Sequence, residues 1–400
     1  MTDPTAPLPR IRLRPKAQAR AIRHGFPWVY ADELVLDRRS RALAGGSLAV
    51  LEDAEREPLG LVTVNPASKI VARMLDRDPQ ASIDADWLRV RLERALELRA
   101  RLYPQPYYRM VHAEADGLPG IVIDRFGDAA VIQPNAAWAE ARIEMLADTL
   151  ISLTGVKVLV KNGTGRARTL EGLAEETVVL RGRIDAPVQV PMNGATYLAD
   201  LTGGQKTGLF YDQRPNHAFA ASLASGARVL DVFSHVGGFA LAALAGGAES
   251  ALAVDSSAPA LELAVEGARA SGVAARFETR RGDAFTTLEA LGAEQARFDL
   301  VVCDPPAFAP NRQALEAGLR AYERIARLAA PLVGRGGFLV LCSCSHAVDL
   351  AAFRTACTRG IGRGGRAGQL LHTGFAGPDH PQLPQLAESG YLKALFYRLD

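Results

Sequence analysis

Apolar residues follow three successive patterns along the chain. Up to about residue 79 they form short runs broken by turns: Ile11-Arg-Leu13, Trp28-Val-Tyr30, Ser47-Leu-Ala-Val-Leu51, Gly60-Leu-Val-Thr-Val64 and Ile70-Val-Ala-Arg-Met74. Short strands at such close spacing predict a small β barrel or sandwich. Over 84–103 the period changes: Leu88, Leu92, Leu96 and Leu102 fall near helical spacing, and Pro104 stops the helix. That shift marks a boundary near residue 80.

A mixed α+β segment follows, with strands at 121–123, 129–133 and 156–160 and a helix over 137–153. The glycine-rich Lys161-Asn-Gly-Thr-Gly-Arg166 lacks the Gly-Lys-Ser/Thr ending of a P-loop and reads as a turn. From about residue 188 a hairpin leads into alternating strands (228–233, 250–255, 276–280, 298–303, 338–341) and helices beginning near 239, 259, 284 and 315. Repeated βα units specify a doubly wound, largely parallel sheet, so the fold class is α/β. The expected domains are 1–80, 81–187 and 188–400.

At 22% charged and 48% hydrophobic the chain has ordinary globular composition. No apolar run approaches the roughly 20 residues that span a bilayer, so no membrane partner is expected. The start, Met1-Thr-Asp-Pro-Thr-Ala-Pro-Leu-Pro9, lacks the apolar core of a secretory signal, and a cytoplasmic location is expected. Net charge is only +2, but Arg10, Arg12, Arg14, Lys16, Arg20 and Arg23 precede Phe26-Pro-Trp-Val-Tyr30 with no acidic residue between Leu8 and Tyr30. Basic residues interleaved with aromatics suit a phosphate backbone and exposed bases. A solvated helix face beside a core tryptophan is the structural alternative.

The chain has four cysteines, Cys303, Cys342, Cys344 and Cys357, all within its last hundred residues. They form no disulfide framework, and no second Cys or His pair stands at the spacing of a structural zinc, so no metal is expected. Chemistry concentrates instead at strand ends. Asp231 opens Asp231-Val-Phe-Ser-His-Val-Gly-Gly-Phe239 after the first strand of the parallel sheet, Asp255 ends the next, Asp283 follows the third and Asp304 the fourth. Ligands of open α/β sheets sit at these carboxyl ends.

Glycines Gly237 and Gly238 let the backbone approach a ligand, and the loop is not the Gly-x-Gly-x-x-Gly of a dinucleotide site. Asp255 with Ser256 can accept from ribose hydroxyls, and Asp283 with Ala284 and Phe285 can receive an adenine. Positive sulfonium and ammonium groups favour carboxylates, so S-adenosyl-L-methionine is the expected cofactor, on Asp231, Phe233, Ser234, Gly237, Gly238, Asp255, Ser256, Asp283, Ala284 and Asp304. Each aspartate taken singly could be a helix N-cap.

Asp304-Pro-Pro-Ala-Phe308 resembles the Asp/Asn-Pro-Pro-aromatic motif of methyltransferases acting on exocyclic amines. Cys344 changes that balance, because C5 of a pyrimidine becomes nucleophilic only after a thiolate has added at C6. Cys344 and Asp304 are therefore the expected catalytic residues. Cys342 alternates with Cys344 onto one strand face and is read, like Cys303 and Cys357, as a small buried apolar residue. His346 is read as a surface loop residue.

Arg23-His-Gly-Phe-Pro-Trp-Val-Tyr30, Glu114-Ala-Asp-Gly-Leu-Pro-Gly-Ile-Val-Ile-Asp-Arg-Phe-Gly127, Lys206-Thr-Gly208 with Asp212-Gln-Arg214, Phe233 with Gly237-Gly-Phe239, Asp304-Pro-Pro306, Ser343-Cys-Ser345 and Gly390-Tyr-Leu-Lys393 resemble the large-subunit ribosomal RNA cytosine-C5 methyltransferase I family over nearly the whole chain. The resemblance implies an N-terminal PUA-like RNA-binding domain, a central α+β domain, a Rossmann-like class I methyltransferase domain and 23S rRNA as partner. It places Cys344 at the nucleophile position, and the basic Arg12, Arg14, Lys16, Arg20 and Arg23 fall in the RNA-binding domain. Three positions depart from the family pattern: Ala307 stands where it has Lys, and His235-Val236 where it has Tyr-Thr. A purine N-methyltransferase and a turnover-free RNA-binding assembly factor are the rival readings, and the sequence leaves a homodimer open.

Overall fold

The structure, a computed structural model, describes residues 7–203 and 208–400. Lys206 and Thr207 of the Lys206-Thr-Gly208 motif, and the first six residues, lie outside the described residues. The chain forms two compact units, Met1–Asp185 with Asp379–Ser389, and Ala186–Pro378 with Gly390–Asp400.

The first unit holds two sheets. One runs in the order Arg10–Arg12, Ser47–Glu52, Pro58–Val64, Ile70–Asp76, Trp28–Tyr30 around a core that includes Ile11, Val29, Leu51, Val62 and Val71. The other runs Glu176–Arg181, Val158–Gly163, Ala129–Pro134, Ile121–Phe126, Tyr107–His112. Helices Ala85–Leu102 and Ile143–Thr154 share its core. The first of these starts where Asp84 accepts a hydrogen bond from the Trp87 amide at 2.9 Å, and it buries Leu88, Leu92 and Ala95 on one face.

Two expectations for this unit are corrected. The helix expected over 137–153 is two helices, Ala137–Glu140 and Ile143–Thr154, because Arg142 leaves helical geometry at φ −119°. Trp138 is buried there and donates to the Pro119 carbonyl at 2.8 Å. The expected turn at 161–166 is the end of a strand followed by a short helix, Arg166–Leu170. Lys161 points its ammonium at Glu140 and Glu176, at 3.0 and 3.1 Å, and so is committed to carboxylates rather than to a phosphate.

The second unit begins with the hairpin Val188–Met192 and Ala195–Ala199. Helix α1 (Arg214–Ser222) then precedes β1 (Arg228–Val232), α2 (Gly238–Ala245), β2 (Ser250–Asp255), α3 (Ala258–Ala270), β3 (Phe277–Arg281), α4 (Ala284–Ala293), β4 (Phe298–Cys303), α5 (Leu315–Ala329), β5 (Val333–Ser343), α6 (Leu350–Arg363), β6 (Gly368–Gly374) and β7 (Lys393–Leu399). The sheet order is β3-β2-β1-β4-β5-β7-β6. The first five strands are parallel, and β7 pairs antiparallel with both β5 and β6. This is the doubly wound, Rossmann-like architecture, with the order reversing at β1 and β4, where such sheets open a ligand crevice.

Strand β5 is longer than the expected 338–341. It ends at Ser343, so Cys344 lies beyond the strand rather than on one face with Cys342. Cys342 is 1% exposed, whereas Cys344 is half-buried. The sequence reading also lacked α6 and the two closing strands. Among the described residues no helix is long and apolar enough to cross a membrane.

Helices α5 and α6 pack closely because Gly360 has no side chain. A Cβ there would stand 2.3 Å from the Glu323 carbonyl oxygen and 2.6 Å from the Ala326 Cβ. Gly360→Ala should therefore destabilise the protein by about 1–3 kcal/mol despite the better helix propensity of alanine. Gly362→Ala, whose Cβ meets nothing within 4 Å, should be neutral or stabilise by up to about 1 kcal/mol. Urea unfolding of both variants checks the contrast, and equal midpoints would contradict this packing.

Candidate active site at the strand ends

The chain leaves β1 through a loop in which alternate residues are left-handed, Phe233 (φ 64°), His235 (φ 51°) and Gly237 (φ 86°). Non-glycine residues enter that region at a cost, so the surroundings must hold them there. Asp231 does much of this. Its Oδ2 accepts from Ser234 Oγ at 2.7 Å and from the Ala240 amide at 2.9 Å, fastening both ends of the loop. Beneath the loop, Tyr197 donates to the Gly238 carbonyl at 3.0 Å, and a Cβ on Gly238 would stand 2.9 Å from His217 Nε2. Glycine is required there by the buried imidazole. His217 packs edge to face on Phe239 at 4.4 Å, and burial pushes its pKa down to about 3, so it is neutral.

Asp255 ends β2 as expected and is engaged at both oxygens: Oδ2 accepts from the His235 amide at 2.9 Å and Oδ1 from the Ser257 amide at 2.8 Å. Each carboxylate oxygen has two acceptor sites, so a ribose hydroxyl can still be received. Ser256 beside it is exposed. Asp283 is the N-cap of α4, accepting at Oδ1 from the Thr286 amide and hydroxyl at 2.9 and 3.1 Å. The bond from the Thr286 amide is the main cause of its lowered pKa. Ala284 is buried behind it. Phe308 gathers Phe285 and Phe233 at centroid distances of 6.2 and 6.4 Å, an apolar wall between the ends of β1, β3 and β4.

Asp304 follows β4, its amide donating to the Val232 carbonyl at 3.2 Å. Gln213 Nε2 donates to Asp304 Oδ2 at 2.9 Å, and Asn216 Nδ2 holds Gln213 Oε1 at 2.6 Å. Gln213 and Asn216 are 3% and 1% exposed, so the plane of the Asp304 carboxyl is set from inside the fold.

Cys344 emerges just past β5. Its Sγ lies 3.9 Å from the Pro305 carbonyl oxygen, which puts the thiol against the Asp304-Pro-Pro turn. The residues on either side are fully buried serines that share one phenol. Ser343 Oγ donates to the Tyr322 hydroxyl at 2.9 Å, and that hydroxyl bonds Ser345 Oγ at 2.8 Å. Ser345 Oγ also accepts from the Ala309 amide at 3.0 Å, joining the cysteine loop to the Asp304–Phe308 motif. Cys303, Cys342 and Cys357 are buried thiols with raised pKa, desolvation being the largest cause in each. His346 is exposed.

Sequence reasoning missed Gln213, Asn216, His217, Tyr197 and Tyr322, all polar side chains brought in from elements distant along the chain. Gln213 lies within the Asp212-Gln-Arg214 motif, whose sequence alone gives the glutamine no role. Of the expected RNA-binding residues, Arg14, Lys16, Arg20 and Arg23 are exposed and Arg12 is half-buried. Arg14 donates to the Leu34 carbonyl at 2.9 Å, and Arg23 pairs with Asp53. The aromatic residues beside them, Phe26, Trp28 and Tyr30, are half-buried. Trp28 donates to Glu114 at 2.8 Å, with the Arg73 guanidinium 5.6 Å from its ring, so this indole is committed within its own unit.

The carboxylate set fits S-adenosyl-L-methionine. Asp231 Oδ1 is buried without a hydrogen-bond partner, and a buried anion in that condition favours a cationic ligand nearby. Asp231, Phe233, Ser234, Gly237 and Gly238 would face the methionine portion, and Asp255, Ser256, Asp283 and Ala284 the nucleoside. Among the described residues no group of three or more His, Cys, Asp or Glu could hold a metal ion.

Comparison with known proteins agrees with this geometry. Residues 178–398 match the S-adenosylmethionine-dependent methyltransferase family model, and residues 11–77 match a PUA-like domain. A ribosomal RNA large subunit methyltransferase of Deinococcus radiodurans is 34% identical over 413 residues, covering 100% of both chains. A ribosomal RNA large subunit methyltransferase I of Alteromonas mediterranea is 33% identical over 384 residues, covering 94% of this chain and 95% of that protein. A methyltransferase solved in complex with SAH has the same fold at TM-score 0.83 and 18% identity, covering 98% of this chain and 100% of that one.

Burial raises Asp231 from 3.8 to about 6. The folded state therefore holds a proton that the unfolded state has lost between those values, and the contribution of Asp231 to stability falls as pH rises through them. Asp231→Asn removes that penalty. The wild-type advantage over the variant should shrink by on the order of 2–3 kcal/mol between about pH 4 and pH 7 in urea unfolding, while S-adenosylmethionine affinity falls in the variant. Parallel pH profiles would contradict the assignment.

Proposed function

We propose that this chain, which belongs to the S-adenosylmethionine-dependent methyltransferases of large-subunit ribosomal RNA, methylates C5 of a cytosine in 23S rRNA through a covalent bond between Cys344 and C6. The supporting observation is the 3.9 Å approach of Cys344 Sγ to the Pro305 carbonyl, which brings a half-buried thiol to the turn that carries Asp304. A purine N-methyltransferase would use Asp304-Pro-Pro-Ala-Phe308 and leave the thiol idle. The fixed serine–tyrosine mounting around Cys344 favours the pyrimidine reading.

Cys344 acts as a thiolate. Its electron pair forms the S–C6 bond, the C5=C6 π pair moves to C4–C5 and the C4=N3 pair to N3, and Asp304 in its acid form, held at N3 and the 4-amino edge by Gln213, delivers a proton to N3. C5 is then enamine-like. When bound, S-adenosyl-L-methionine supplies an electrophilic methyl group on its sulfonium and departs as S-adenosylhomocysteine. Loss of the C5 proton to solvent restores the C5=C6 bond and expels Cys344 as thiolate, and the N3 proton returns to Asp304. Phe233, Phe285 and Phe308 keep water from the face where methyl and base meet.

The PUA-like domain recruits the RNA in this reading. Arg12, Arg14, Lys16, Arg20 and Arg23 supply phosphate contacts, which position the substrate without reading its sequence. The domain limits 1–80, 81–187 and 188–400 belong to this proposal, as does a cytoplasmic location, where ribosomal RNA is available.

Cys344→Ala should lower methyl transfer to protein-free 23S rRNA from cells lacking the protein by about 10⁴-fold or more, the scale of losing a nucleophile. Titration calorimetry should show S-adenosylmethionine affinity within about twofold of wild type, since the thiol acts on the base. Nucleoside mass analysis of the wild-type product should give 5-methylcytosine. A methylated purine amine, formed equally by the variant, would establish the rival reading.

A further inference from the structure

One ammonium group holds the loop that carries Cys344. Lys393, the first residue of β7, is 4% exposed, and its Nζ donates to the carbonyl oxygens of Ser345 and Val348 at 2.8 and 2.7 Å. Strand pairing sets Lys393 opposite Ser343, the residue before Cys344. Among the described residues it forms no ion pair with a carboxylate, although burying a cation is costly unless an anion offsets the lost hydration. Burial pushes its pKa down to about 8, and Cys344, followed by Asp349, opposes that fall. Coupling of this kind acts on both partners.

We propose that Lys393 is a positioning residue for the nucleophile: it fixes the 343–348 loop, and its positive charge favours the thiolate of Cys344 over the thiol. The inference rests on the reading of Cys344 as the attacking group. The thiol proton leaves to solvent, the sulfur keeps the electron pair, and Lys393 stays protonated. The other groups around the loop do not replace this cation. Asp304 after β4 is an acid whose charged form raises the neighbouring thiols Cys303 and Cys342, Tyr322 on α5 is a phenol raised to about 12, and Asp349 is a carboxylic acid. His346 in the loop is exposed.

Thiolate content is read directly by the pH dependence of iodoacetamide alkylation of the full chain, mapped by peptide mass. Cys344 is the half-buried thiol, while Cys303, Cys342 and Cys357 are buried and report any loss of fold by becoming labelled. Lys393→Gln should raise the midpoint for Cys344 by about one pH unit, a roughly tenfold slower reaction below it. Lys393→Arg, which keeps the charge, should stay near wild type. Superimposable wild-type and Lys393→Gln profiles would overturn the proposal. In the wild type the midpoint should lie below the roughly 8.5 of an ordinary thiol, and a higher value would overturn it even where the Gln variant labels its buried cysteines. Alkylation needs neither RNA nor cofactor, so a failure here is distinct from a failure of the C5 reading.

Discussion

Two parallel strands in register carry the chemistry. β4 and β5 pair so that Cys303 stands opposite Leu341, and the chain turns out of β4 immediately at Asp304 while β5 runs on to Ser343. An acid and a thiol separated by 40 positions in sequence are thereby delivered to one edge of the sheet. Hydrogen bonding from the Asp304 amide to Val232 ties the same edge to β1, where the glycine loop begins. A slip of one residue between β4 and β5 would exchange inward and outward side chains and part the two groups.

Around that edge the protein holds its reactive groups with buried polar side chains. Asp231, Gln213, Asn216, Ser343, Ser345 and Lys393 are each at most 4% exposed, and each is hydrogen-bonded to a loop, to Asp304 or to a side chain that supports them. Such groups weaken a fold unless their partners are well placed. For Ser345 and Lys393 the partners are loop backbones, and for Gln213, Asn216 and Ser343 they are other side chains of the site, so these bonds both offset burial and preorganise the site.

Much of this was legible in the sequence because it is local. Strand runs such as Ser250–Asp255 and Phe298–Cys303 carry continuous apolar residues, and an aspartate at each end marks where the sheet meets its ligand. The supporting residues were not legible. Gln213 precedes Asp304 by 91 positions and Tyr322 precedes Ser345 by 23, so only the tertiary fold brings them together. Helix α6 escaped notice because Leu350-Ala-Ala-Phe-Arg-Thr-Ala-Cys-Thr-Arg-Gly-Ile-Gly-Arg363 mixes glycine and polar residues, and its packing depends on the bare Gly360 surface. The bond from Trp28 to Glu114, 86 positions away, is likewise invisible in the basic neighbourhood of the tryptophan along the chain.

Covalent trapping tests the central claim most directly. Ribosomal RNA carrying 5-fluorocytosine has no proton to lose from C5, so once the methyl group has transferred the S–C6 bond cannot be eliminated. Incubated with S-adenosylmethionine and this protein, such RNA should leave a denaturation-resistant adduct whose peptide mass maps to Cys344. Absence of an adduct under conditions that methylate ordinary RNA, or an adduct on another residue, would contradict the account.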